Sequence, residues 1–245
     1  MRKMKHYPQT NTHPLNRLPS LWLCTMAFAT SAILWGCSSG KTTIRYGSDQ
    51  EEQWRQEEVR PLKNFFEGFI LDLKQGDADK VYRSLSQNSL DWLEEMMELA
   101  AREPTRSLSQ RPFYEILTAL HLRVQGKSHP SILDNPQFAM QKVLIENATI
   151  RKNFTQHAFA GYRIDRNRGE VGLQKAPSVP VFFFAKQVTE QDNTTGWRLD
   201  LAQSIPILLL GAQKYAQQKR DTPLEQAIYI LNNVVKTPIT PTDLY

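Results

Sequence analysis

Between residues 49 and 126 apolar residues recur at helical spacing, and from about residue 157 they alternate with polar ones at strand spacing. In RPLKNFFEGFILDLKQG, Leu62, Phe65, Phe66, Phe69, Ile70 and Leu73 fall at steps of three, one, three, one and three, a single helical stripe. Ser48 and Glu51 form a capping-box pattern ahead of it, and Gly76 stands where a C-terminal cap is wanted. Pro61 either starts this helix or kinks a longer one from Asp49. Asp77 is placed to cap a second, short helix with Val81, Tyr82 and Leu85 inward. Asn88 or Ser89 then restarts a third over SLDWLEEMMELAAR, ending before Pro104. Its apolar positions make two neighbouring stripes, Trp92, Met96 and Leu99 beside Leu90, Leu93, Met97 and Ala100. RPFYEILTALHLRVQG reads as a further helix with Phe113, Ile116, Leu117, Leu120 and Val124 buried and Gly126 past its end.

After Gln156 the period changes. HAFAGYRI, GEVGLQ, VPVFFFAKQV and GWRLDLA are separated by turn-rich RNRG, KAPS and TEQDNTT, the pattern of antiparallel strands joined by hairpins. In the last of them Trp197, Leu199 and Leu201 point one way while Arg198, Asp200 and Ala202 point the other. VPVFFFA is apolar at successive positions, which predicts a central strand covered on both faces. Two helices close the chain, SIPILLLGAQKYAQQ and then TPLEQAIYILNNVV, opened by Thr222, Pro223 and Glu225. Helices first and an antiparallel sheet after them is the α+β class.

The N-terminus has a different character. Residues 1–36 carry Arg2, Lys3, Lys5 and Arg17, no acid, and then the mostly apolar run Leu18–Gly36, the layout of an export signal. Its end, ILWGCSSGKTT, also holds Gly36, Gly40, Lys41 and Thr42. A phosphate-binding loop needs four residues between its glycines, whereas three separate these, and no βαβ-type strand leads in. Leu34, Gly36 and Cys37 resemble the lipobox of bacterial lipoproteins, which implies cleavage after Gly36 and lipid on Cys37. Trp35 departs from that pattern, and the basic segment before Leu18 is long for the class. An uncleaved anchor is the alternative, since 19 residues just span a bilayer. Either way the N-terminal charges place the remainder outside the cytoplasm. With Ser38 rather than Asp after Cys37, the lipoprotein reading implies the outer membrane in a cell that has one.

That reading changes the charge and cysteine arithmetic. The whole chain has 30 bases against 25 acids, and without residues 1–36 it has 26 against 25, a net of +1. The basic excess therefore belongs to the signal, and the remainder lacks the electrostatic footprint of a nucleic-acid-binding domain. Cys24 would leave with the signal and Cys37 would carry lipid, so no thiol remains for a disulfide, a zinc site or a nucleophile. His121, His129 and His157 have no metal-binding spacing, no nucleophile-elbow motif is present, and no cofactor or metal is expected. Sequons at Asn147, Asn153 and Asn193 would matter only in a eukaryotic secretory route.

The run FFEGFILDLKQGDADKVYRSLSQNS resembles the opening of NTF2-like (SnoaL or ketosteroid-isomerase-type) domains, and GWRLDLAQSIP is similar to their Trp-containing last strand. The resemblance brackets roughly residues 50–203 and implies a cone, a curved antiparallel sheet wrapped around helices with a pocket inside. The stretch 107–150 is longer than a minimal member needs, and the helices after Ser204 lie beyond the usual final strand. The expected organisation is a signal over 1–36, a tether over 37–48, the α+β domain over 49–203, C-terminal helices over 204–236 and a tail over 237–245. Family enzymes use a carboxylate or His base facing an oxyanion-stabilising Tyr or Asp. The candidates for such roles are Asp200, His157, Tyr162, Asp165 and Tyr82. None is carried over from a catalytic position of the family, and Arg198 with Asp200 reads as a solvated ion pair on an outer strand face rather than a catalytic pair. Two functions follow. One is a lipid-anchored module binding a small apolar molecule or an envelope protein partner. The other is an envelope isomerase or lyase using the same cone, with a secretion-system component on an uncleaved anchor as a variant.

Overall fold

The computed structural model describes residues 49–173, 176–188, 195–240 and 243–244; the expected export signal over 1–36, Cys37 and the expected tether over 37–48 lie outside them. Helix α1 spans Asp49–Gln75 and keeps Pro61 inside, so the longer of the two expected helices forms. Pro61 is exposed, where the missing N–H costs least, and the stripe begun by Leu62 continues without a break. Leu62, Phe66, Phe69, Ile70 and Leu73 are all buried. Gly76 takes φ +75, the left-handed conformation that terminates a helix, and Asp77 caps α2 (Ala78–Arg83) by accepting from Lys80 N at 3.1 Å.

Helix α3 (Gln87–Arg102) starts earlier than Asn88 or Ser89, because Ser86 is the cap and its side chain accepts from Ser89 N. A single turn, α4 (Thr105–Leu108), leads to α5 (Phe113–Ser128). Gly126 does not follow α5 but lies inside it, buried. A Cβ there would meet Leu133 side-chain atoms at 3.0 Å, so the glycine serves helix packing rather than capping. Val124 is only half-buried, while His121 and Leu122 are buried, so α5 is enclosed on more sides than a single stripe predicts. The stretch 107–150 extends the helical layer. A 3₁₀ turn (Pro130–Leu133), α6 (Pro136–Met140), a π-helical segment (Gln141–Glu146) and α7 (Ala148–Thr155) follow one another.

The sheet has order β1-β2-β3-β4, from Gly161–Asp165, Arg168–Leu173, Ala176–Val188 and Thr195–Asp200, with every neighbouring pair antiparallel. It does not close on itself. As the apolar run of VPVFFFA predicts, β3 is interior. Phe182 and Phe184 meet Phe66 of α1, and Phe183 is half-buried on the opposite face. Gly169 of β2 lets α1 approach the sheet, since a Cβ would meet Leu62 at 3.0 Å and Trp197 at 3.1 Å.

The last strand stops sooner than its alternation suggests. Leu201 and Ala202 belong to α8 (Leu201–Gln217), capped by Asp200, whose side chain accepts from Gln203 N at 3.1 Å. Thr222 and Glu225 form a capping box that opens α9 (Pro223–Ile230), followed by a π-helical segment (Leu231–Val235). Helix α8 packs against β3 and α3, and α9 packs against α5. The molecule is therefore a mixed α+β assembly of a helical layer with an open, four-stranded antiparallel sheet.

Candidate functional site

The five candidate side chains do not converge on one place. Asp200 sits at the joint between β4 and α8 and is only 4 % exposed, so it is not a member of a solvated outer-face pair. Asn88 Nδ2 reaches both carboxylate oxygens, at 2.9 and 3.0 Å, and Gln203 donates through N at 3.1 Å and Nε2 at 2.6 Å. A carboxylate surrounded by donors in this way caps a helix and ties it to α3. The same joint is laced by serines. Ser89 Oγ donates to Leu199 O at 2.7 Å and accepts from Leu201 N at 2.7 Å, while Ser204 Oγ donates to Asp200 O at 2.6 Å and accepts from Phe183 N at 3.0 Å. Sequence reasoning did not find Asn88 or Ser89 as partners of this joint, because more than a hundred residues separate them from β4.

His157 lies between α7 and β1 with its ring 5.5 Å from that of Phe182, and burial lowers its pKa below the usual imidazole value. Tyr162 is 48 % exposed on β1 and stacks on Phe159 with ring centroids 5.8 Å apart. Both border one aromatic cluster, in which Phe66 contacts Phe159 and Phe182, and Phe182 contacts Phe154. No hydrogen bond joins any two of His157, Tyr162 and Asp200. Asp165 is exposed at the end of β1. Tyr82 is half-buried on α2, and burial, then the charge of Glu94, raises its pKa. The fold thus sets His157 and Tyr162 around one patch of phenyl rings and leaves Asp200, Asp165 and Tyr82 elsewhere.

Two other polar places carry no chemical motif in the sequence. His121 of α5 is 3 % exposed, with Thr237 Oγ1 at 3.5 Å from its Nε2, and burial pushes its pKa down to about 4. An open groove beside the end of α3 is lined by Glu95, Glu98, Leu99, Arg102, Glu103 and Arg111. Arg111 lies 3.5, 3.3 and 3.4 Å from carboxylates of Glu95, Glu103 and Glu115, so its fork is occupied by ion pairs. Among the described residues, no group of three or more His, Cys, Asp or Glu is arranged to hold a metal ion. Among the same residues no helix is long and apolar enough to cross a membrane; the run 18–36 lies outside them. Compared with protein-family models, with curated proteins and with solved structures, the chain matches none of them.

Proposed function

We propose that this chain is a bacterial cell-envelope lipoprotein, held to the membrane by lipid on Cys37, whose folded part is a non-catalytic NTF2-like module for a small apolar molecule or an envelope protein partner. The observation that carries it is the order of features at the N-terminus. Four bases and no acid precede an apolar run, which ends in Leu34, Gly36 and Cys37, and a polar tether leads to α1. The interior between α1 and the sheet is built from Phe66, Phe69, Phe182, Phe184, Val171 and Leu199, an apolar packing that favours a binding module or plain core over an enzyme. An acid–base site of the isomerase kind would need a carboxylate or His opposed to a Tyr in that interior, whereas Asp200 is engaged as a helix cap. Tyr162, at the rim of the cluster that His157 borders, is 48 % exposed and makes no hydrogen bond to that histidine.

The test is the N-terminal peptide of the membrane-bound product, from the intact chain expressed in a bacterium with and without Cys37→Ala. A peptide starting at Cys37 with diacylglycerol mass, lost in the variant, is the expected result. An intact N-terminus beginning at Met1 would overturn lipidation and leave the uncleaved anchor of a secretion component.

A further inference from the structure

We propose that β1 is a pairing edge for a second copy of this chain, the two copies being related by a two-fold axis through Ile164. The opposite edge of the sheet is covered at its Leu199 end. Along β4, Leu199 donates to Ser84 O and accepts from Ser86 N, both at 2.8 Å. Where β4 stops, β3 carries Pro180, which has no N–H to offer, Ser204 takes the Phe183 N–H, and α8 packs alongside. The outer edge of β1 is different: among the described residues nothing pairs with it.

Asp165 and Arg168 close a two-residue loop, so Asp165, Arg163 and Gly161 direct their backbone groups to β2, and Ile164 and Tyr162 direct theirs outward. Self-pairing must therefore match outward-facing residues, and charge chooses among the registers. Glu170 lies opposite Arg163, with Arg163 Nη2 2.6 Å from its Oε1, and Arg168 lies opposite Asp165. A two-fold axis at Ile164 sets Arg163 opposite the partner's Asp165. One face of the joined sheet then reads Glu170, Arg163, the partner's Asp165 and the partner's Arg168. Charges alternate along that row, and again along its symmetry mate. An axis at Arg163 would oppose two arginines, and an axis at Tyr162 would set Arg163 against Gly161 with no charge gained. Arg163 is 75 % exposed along its side chain and the flanking Ala158 and Ala160 are small and exposed, so the edge is open to approach. This inference does not depend on how the chain is anchored.

The experiment is oxidative cross-linking of the full chain in the cells that express it. Ile164→Cys and Tyr162→Cys are each compared with the parent, whose Cys24 and Cys37 set the background. At the axis the two Cα atoms stand about 5.5 Å apart, within disulfide reach, whereas the two copies of residue 162 are more than about 10 Å apart. The expected result is a reducible dimer for Ile164→Cys and background for Tyr162→Cys. Adding Asp165→Arg should lower the dimer fraction about tenfold, whereas Asp165→Glu should keep it. Background linking in both cysteine variants overturns the pairing. Linking through residue 162 instead of 164, or indifference to Asp165→Arg, overturns the register and the charge argument.

Discussion

The α1–sheet half and the helical half from α3 onward bury polar groups in opposite ways. Against the sheet the interior is aromatic, with Phe66 in contact with Phe159, Phe182 and Phe184. The Trp197 indole N–H is buried there without a hydrogen-bond partner among the described residues, while charged groups stay at the rim. Lys186 shows how. Its Nζ lies 5.0 Å above the Trp197 ring and 2.8 Å from Glu58. The helical half is aliphatic, built on residues such as Met96, Ile116, Leu120 and Ile132, yet takes polar side chains inside. His121 is buried there, Asp243 bonds Lys127 at 2.6 Å, and Arg123 donates to the carbonyls of Ala100, Leu99 and Glu103 at the end of α3. The difference follows from supply. Helix ends leave carbonyls and N–H groups that buried side chains can satisfy, while an interior sheet strand has already used its own.

The largest expected effect tests the aromatic side. Phe66→Ala removes the ring at the centre of that cluster and should cost about 4 kcal/mol, roughly a 10 °C fall in melting temperature. A loss under about 1 kcal/mol would mean that the cluster is loosely packed and the comparison false. Next comes acid on the helical side. The folded pKa of His121, about 4, lies below the ordinary 6.5, so as pH falls the unfolded chain binds the proton first. The contribution is whole above about pH 6.5 and lost between 6.5 and 4, about 3 kcal/mol in all. Urea melts across that range should show the slope in the parent and a flatter one in His121→Leu.

Asp200→Ala probes the joint between the halves. It strands donors of Asn88 and Gln203 and uncaps α8, so a loss of about 2 kcal/mol is expected in chemical denaturation. A loss of that size would sharpen the reading of this carboxylate as structural. The smallest effect is Thr222→Ala, which removes one side of the α9 capping box and should cost about 1 kcal/mol in the same melts.

Local chemistry determined much of this fold. The α1 stripe, the Gly76 stop, the Asp77 cap, the hairpin turn at 166–167 and the Thr222 box each depend on residues within a few positions of one another, where spacing along the chain is spacing in space. The split into helices and then strands was legible for the same reason. Gly126 and Asp200 were misread because their surroundings come from afar: Leu133 is a neighbour of Gly126 only once α5 is packed, and Asn88 reaches Asp200 from another helix. The candidate site was legible only as residue types. Whether a His, a Tyr and an Asp converge is a matter of tertiary packing, and here it set His157 and Tyr162 around phenyl rings while enclosing Asp200 as a cap. The sequence by itself determined the type of the periodic elements and the turns at Gly76, Asp77 and Thr222. Only the tertiary structure decided which polar groups are buried and which sheet edge stays open, because burial and strand pairing depend on contacts between residues far apart in the chain.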